Sequence, residues 1–185
     1  MDNKTKILEA ALNLFITKGF DGTSTAKIAR EAGVSNGTLF HYFKTKEALI
    51  SELYITIKDE YKNYLIENMS QAETIKSRLK QLWVCCARWH VKNRDKTTFF
   101  TMFTSSPHID SITKEESSRN FIFIYDLFAE AIENEVVMDV NQELIMHYFY
   151  SSIRAFSNFS SECPNKFDEF MDTAFQMWWR SVASI

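Results

Sequence analysis

Residues 24–49, STAKIAREAGVSNGTLFHYFKTKEAL, decide how the rest of the chain is read. Ile28, Ala29 and Ala32 fall at helical spacing, and Val34, Leu39 and Phe43 carry the apolar set past Gly33. Ala29 is small where two crossing helices approach closely, and Gly33 can take the positive φ of a sharp turn. Ser35 is a good N-cap for the second helix and Thr45 for a third. The pattern predicts a helix-turn-helix. Its outward residues are Asn36, Gly37, Thr38, His41 and Tyr42. They cluster on the first turn and one face of the second helix, the part of a recognition helix that meets base edges.

The residue types suit that task. Asn36, Thr38 and His41 offer hydrogen bonds, while Tyr42 and Lys46 can hold phosphate oxygens. Gly37 removes a side chain where the backbone would come close to DNA. Ser24 and Thr25 put a hydroxyl and free backbone N–H groups at the start of the preceding helix. The same residues would serve a protein that binds nothing: Asn36, Gly37 and Thr38 as caps and turn, His41 and Tyr42 as solvated surface. Agreement in register between polar face, turn and buried face favours DNA.

Extended backwards, the segment KILEAALNLFITKGFDGTSTAKIAREAGVSNGTLFHYFKTKEAL (residues 6–49) resembles, without gaps, the DNA-binding domain of the TetR family of bacterial transcriptional repressors. The resemblance implies an all-α protein. An N-terminal three-helix helix-turn-helix domain (residues 1–48) would be joined by a long helix to a larger helical effector-binding and dimerisation domain (residues 49–185). It implies a homodimer on a palindromic double-stranded DNA operator, released when a small molecule occupies the C-terminal domain. By motif position it places Thr25, Ser35, Asn36, Gly37, Thr38, Tyr42 and Lys46 at DNA. Phe40 departs from the family, which usually has tyrosine there. Its ring can still pack against sugar or a thymine methyl, but any hydroxyl contact is gone.

Composition agrees with a helical, soluble chain. Four Gly and two Pro in 185 residues leave few breakers, so long helices are expected. The net charge of −3 argues at first against a nucleic-acid partner. Its distribution answers that: residues 1–50 carry seven Lys/Arg against five Asp/Glu, a mildly basic head on an acidic remainder. The N-terminus is amphipathic rather than signal-like, and no apolar run approaches a membrane span. Three cysteines, two of them adjacent, suit reduced thiols in a cytoplasm rather than a disulfide framework.

Nine helices and no strand are expected. The first spans residues 3–19, capped by Asp2 or Asn3, with a stripe of Ile7, Leu8, Ala11, Leu12, Phe15 and Ile16. A long helix from Lys46 to about Met69 can act as a lever between domains. Capping boxes at Ser70–Glu73 and Thr113–Glu116, and a cap at Asp95, open the next three. The helix carrying Phe121, Ile122, Tyr125 and Phe128 is apolar on more than one side, which predicts a central position. A helix from Gln142 carries Leu144, Tyr148 and Phe149, and a last one carries Phe170, Phe175 and Trp178. Apolar residues left over there, with the resemblance, assign Phe156, Phe159, Phe170, Phe175, Trp178 and Trp179 to a dimer interface.

Trp83, Trp89, Phe99, Phe103, Phe121, Tyr125, Tyr148 and Phe149 are candidates to line a pocket for a lipophilic or aromatic effector. Taken singly, each is more readily explained as core, since aromatics at helical spacing fill domains. Cys86 and His90, one helical turn apart, make a weak metal pair, and Cys85 with Cys86 a weak redox pair. No metal or other cofactor is expected. All four glycines lie in the head, so no phosphate-cradling loop exists, and Glu115 and Glu116 point to different sides of a helix; an enzyme is not expected. Two alternatives stay open: a dimeric helical adaptor without DNA binding, and a transcriptional activator of the same fold.

Overall fold

The computed structural model describes residues 2–69, 72–104, 106 and 121–184, and among them it is helical with no strand. In order these are α1 (Asn3–Lys18), α2 (Thr25–Glu31), α3 (Asn36–Tyr42), α4 (Lys46–Asn68), α5 (Ile75–Lys92), α6 (Arg94–Thr104), α7 (Ile122–Glu133), α8 (Gln142–Glu162) and α9 (Phe167–Val182), with a 3₁₀ turn at Pro164–Lys166. They form two compact units: the described residues of Met1–Glu60 with Asn93–Ser117, and those of Tyr61–Lys92 with Ser118–Ile185. We call these the head and the body. α4 gives residues 46–60 to the head and 61–68 to the body. The sequence reading assigned everything after residue 48 to one domain, whereas by compactness α6 groups with the head.

In the head, α1 starts where the Asp2 carboxylate accepts the Thr5 N–H at 2.7 Å, a bond that holds this carboxyl below the usual range. Gly19, at φ 74°, ends it. The inward face is Ile7, Leu8, Ala10, Ala11, Leu14 and Phe15. Leu12 and Ile16, expected on that face, are half-exposed, because Ala10 and Leu14 turn inward instead. Phe15 and Phe20 meet at 5.1 Å, and Phe99 from α6 lies 5.8 Å from Phe20. Tyr54 of α4 stacks on Phe103 at 4.2 Å. α6 therefore completes the aromatic core behind α2 and α3. It opens at Arg94, so Asp95 lies within its first turn and is not its cap.

The loop into α2 is pinned by buried Thr23, whose hydroxyl donates to the Leu14 carbonyl at 3.2 Å. A Cβ on Gly22 would stand 2.2 Å from the Lys18 carbonyl oxygen, a backbone atom that cannot step aside. Gly22→Ala is expected to lower head stability by about 1–3 kcal/mol. A wild-type melting curve for that variant would refute the packing of this loop.

In the body the centre is α5, which buries Leu79, Leu82, Trp83, Cys85, Cys86, Ala87 and Trp89. The central position expected for α7 is not found: Ile122 and Tyr125 face outward, and its buried side is Ile124, Leu127, Phe128 and Ala131. α5 opens with a reciprocal box one turn beyond the expected one: Thr74 Oγ1 accepts the Ser77 N–H at 3.1 Å, and Ser77 Oγ accepts the Thr74 N–H at 3.2 Å. Ser70, Gln71 and Thr113–Glu116 lie outside the described residues. α8 is capped by Asn141, which accepts the Leu144 N–H at 3.1 Å. Ion pairs join Arg78 to Glu130 and Lys80 to Asp172.

Candidate nucleic-acid interface

α2 and α3 are seven residues each, too short to stand alone, and each is held by one buried anchor set. Ile28 and Ala29 seat α2; Leu39 and Phe43 seat α3. Gly33 turns the chain at φ 67°, and the Val34 N–H donates back to the Ala29 carbonyl at 2.9 Å. Both helix starts are capped, α3 by Ser35 as expected and α2 by Ser24. Ser24 Oγ accepts the Lys27 N–H at 3.3 Å, and Ser35 Oγ accepts the Thr38 N–H at 3.0 Å. The Ser35 and Thr38 hydroxyls also meet at 2.9 Å, so part of their capacity is spent on the helix start. Thr45 Oγ1 accepts the Ala48 N–H at 3.0 Å and opens α4.

With Leu39 buried, the outward face of α3 is Asn36, Gly37, Phe40 and His41, with Tyr42 beside them, all exposed. Thr25, Thr38 and Lys46 are half-buried, and Ser24 and Ser35 exposed. All ten residues singled out for DNA thus sit on α2, α3 and the starts of α2, α3 and α4. Gly37 has ordinary φ, and a Cβ built there would meet only Ser35 Oγ, at 3.7 Å. The head has no internal need for glycine at this point, although glycine costs a helix ~0.5–1 kcal/mol. Lys44, exposed between α3 and α4, adds a cation that sequence reasoning passed over; its only signal was charge next to the motif.

The eight pocket candidates are divided between the two units, Phe99 and Phe103 in the head and the other six in the body. Phe99 and Phe103 are fully buried in the head core. Trp83 and Phe149 are fully buried in the body, where Trp83 Nε1 donates to Ser152 Oγ at 2.9 Å and Phe149 lies 5.0 Å from Trp178. Trp89 and Phe121 pack on Tyr61 at 4.5 and 5.6 Å. Tyr125 and Tyr148 are exposed. Six of the eight rings are thus buried against neighbouring rings of their own unit. The body instead offers a cleft of about 420 Å³ lined by Tyr64, Asn68, Arg88, Val91, Lys92, Phe167 and Asp168, where Arg88 and Asp168 stand 3.8 Å apart.

A second, apolar groove of about 610 Å³ runs along α8 and α9 past Tyr148, Ala155, Phe159, Phe170, Ala174 and Met177. Of the residues assigned to a dimer interface, Phe159 is exposed and Phe170 and Trp179 are half-buried. Phe156, Phe175 and Trp178 are buried within the chain. Phe175 is enclosed by Trp83 at 6.2 Å and Trp178 at 5.8 Å, which makes it core.

Burial pushes the Cys85 thiol up, against the opposite pull of Arg88, which weighs against a reactive thiolate. Among the described residues no three of His, Cys, Asp and Glu gather as a metal site, and no helix is long and apolar enough to cross a membrane.

The family model of bacterial regulatory proteins, tetR family, matches residues 7–53. A tetR family transcription regulator of known structure from Shewanella sp. PV-4 is 30% identical, with a TM-score of 0.91 over 100% of both chains. The transcriptional regulator FadR from Bacillus subtilis, in complex with stearoyl-CoA, is 17% identical with a TM-score of 0.76 over 94% of this chain and 96% of that one, a likeness of fold. Among curated proteins, the fatty acid metabolism regulator protein of Bacillus subtilis (strain 168) is 30% identical over 74 residues, 40% of this chain and 38% of that one. Well under half of that relative's length is thus matched.

Proposed function

The chain belongs to the TetR family of bacterial regulatory proteins, and from that premise we propose that it is a repressor that grips a palindromic operator as a homodimer and lets go when a small molecule fills its body. The coarser part needs no proposal: the chain is a transcription regulator with a DNA-binding helix-turn-helix, not an enzyme. The outward face of α3 carries the finer reading. It is exposed, polar apart from Phe40, and backed by a head core that includes α6.

Phosphate contacts would come from Tyr42, Lys46 and Lys44, and base contacts from Asn36, Thr38 and His41. One helix this short reads too few bases, so two copies about one helical turn apart (roughly 34 Å) are required. The groove along α8 and α9 is the face we assign to the second copy. Work in the cytoplasm follows from the DNA partner.

For the effector, the cleft beside Arg88 and Lys92 has room for a metabolite, and Val91 and Phe167 give it an apolar side. A lipophilic molecule with an anionic end suits that lining. The stearoyl-CoA held by one structural neighbour supports the class.

The test is a gel shift with the DNA upstream of the gene, with and without acyl-CoAs, fatty acids and aromatic acids. Binding is expected to fall by about 10³-fold or more between 50 and 200 mM salt if six or more phosphates are contacted. Salt-independent affinity, or no shift at all, overturns the reading. A reporter that rises with the protein instead of falling makes it an activator.

A further inference from the structure

We propose that the Phe40 ring reads the C5 methyl of thymine, so that each recognition helix demands thymine at one position and not merely a base that pairs with adenine. The inference rests on α3 being the helix that enters the groove.

Phe40 is 43% exposed on a face otherwise made of Asn36, Gly37 and His41. Leu39, immediately before it, is fully buried, so the helix is already anchored and Phe40 is not needed for that purpose. The neighbouring rings are paired among themselves: His41 meets Tyr42 at 5.4 Å, and Tyr42 meets Phe43 at 6.3 Å. Phe40 stands outside that set. A phenyl ring can neither donate to a phosphate nor accept from a base amine. The one apolar group displayed in the major groove is the thymine methyl.

Gly37 supports the same conclusion independently. It lies one helical turn before Phe40 on the same face, where a side chain would stand beside the ring. A Cβ there would meet nothing closer than Ser35 Oγ at 3.7 Å. The gap therefore serves something outside the head. It leaves the helix surface open one turn before Phe40, where a base edge can approach the backbone.

Duplexes selected from a random pool by the full-length protein provide the test. The preferred duplex is resynthesised with each thymine in turn replaced by deoxyuridine, which pairs identically and lacks only the methyl. Affinity is expected to fall about fourfold at one thymine per recognition helix, the ratio given by ~0.8 kcal/mol for one buried methyl carbon. In Phe40→Ala, the thymine and deoxyuridine duplexes should bind alike. In Phe40→Tyr, which keeps the ring, the difference should persist. A flat profile on a duplex that still binds overturns this inference alone, as does a methyl effect that survives in Phe40→Ala. A pool with no preferred duplex overturns the groove-reading assignment and this inference together.

Discussion

Phe99→Ala is expected to cost about 3–5 kcal/mol, the range for emptying a fully buried phenylalanine site. Phe99 has no exposed surface and lies among Phe15, Phe20 and Phe103 at 6.4, 5.8 and 6.1 Å. Small domains are stable by only about 5–15 kcal/mol, so this loss is a large share of what keeps the head folded. α1 and the loop at Phe20 would lose their backing, and α2 and α3 rest on α1. DNA binding should therefore fail on warming at a temperature where the body is intact. The four tryptophans, Trp83, Trp89, Trp178 and Trp179, all lie in the body, so their emission reports that unit alone. Hydrogen exchange should show lost protection in α1 and α3 while the tryptophan melt shifts little. If head protection were unchanged and only effector affinity fell, Phe99 would serve the effector and not the head core.

That residue also shows where sequence reasoning stops. Helical spacing puts Phe99 and Phe103 on one side of their helix, and both are buried. It carried no information about which surface covers them, since the covering residues, Phe15 and Phe20 on Phe99 and Tyr54 on Phe103, lie 49 to 84 positions earlier. The helix-turn-helix was legible because its logic is local. Caps at Ser35 and Thr45 act three residues on, and Gly33 sets a turn by its own φ. In α1 the same local logic slipped by a small rotation, exchanging Leu12 and Ile16 for Ala10 and Leu14. Ala10 gives a weak apolar signal, which hides one edge of the stripe. The aromatic body misled for a related reason. Phe175 and Met177 are near neighbours on one amphipathic helix, yet the first has no exposed surface and the second 71% of its surface open. Spacing alone does not reveal how wide the covered stripe will be.

The contrast between those two residues sets the largest effect expected of any single change. Met177→Asp should turn a dimer into monomers without unfolding it. Met177 projects from α9 beside Ala174 along the apolar groove, with most of its surface open. In the proposed homodimer, the second copy would bury it. An aspartate there is too short to reach back to water and would sit uncompensated, at about 3 kcal/mol. A two-fold interface presents the same patch twice, so the cost is about 6 kcal/mol, or roughly four decades in dissociation constant. A nanomolar dimer would then dissociate at low micromolar concentration. Sedimentation should report a monomer with unchanged far-ultraviolet circular dichroism. Operator affinity should collapse with it, because a lone α3 holds too short a stretch of duplex. Phe175→Ala should behave differently, losing the body fold itself along with any dimer. A Met177→Asp protein that sedimented as a dimer would move the interface off this groove, and a wild-type chain monomeric at micromolar concentration would remove the homodimer altogether.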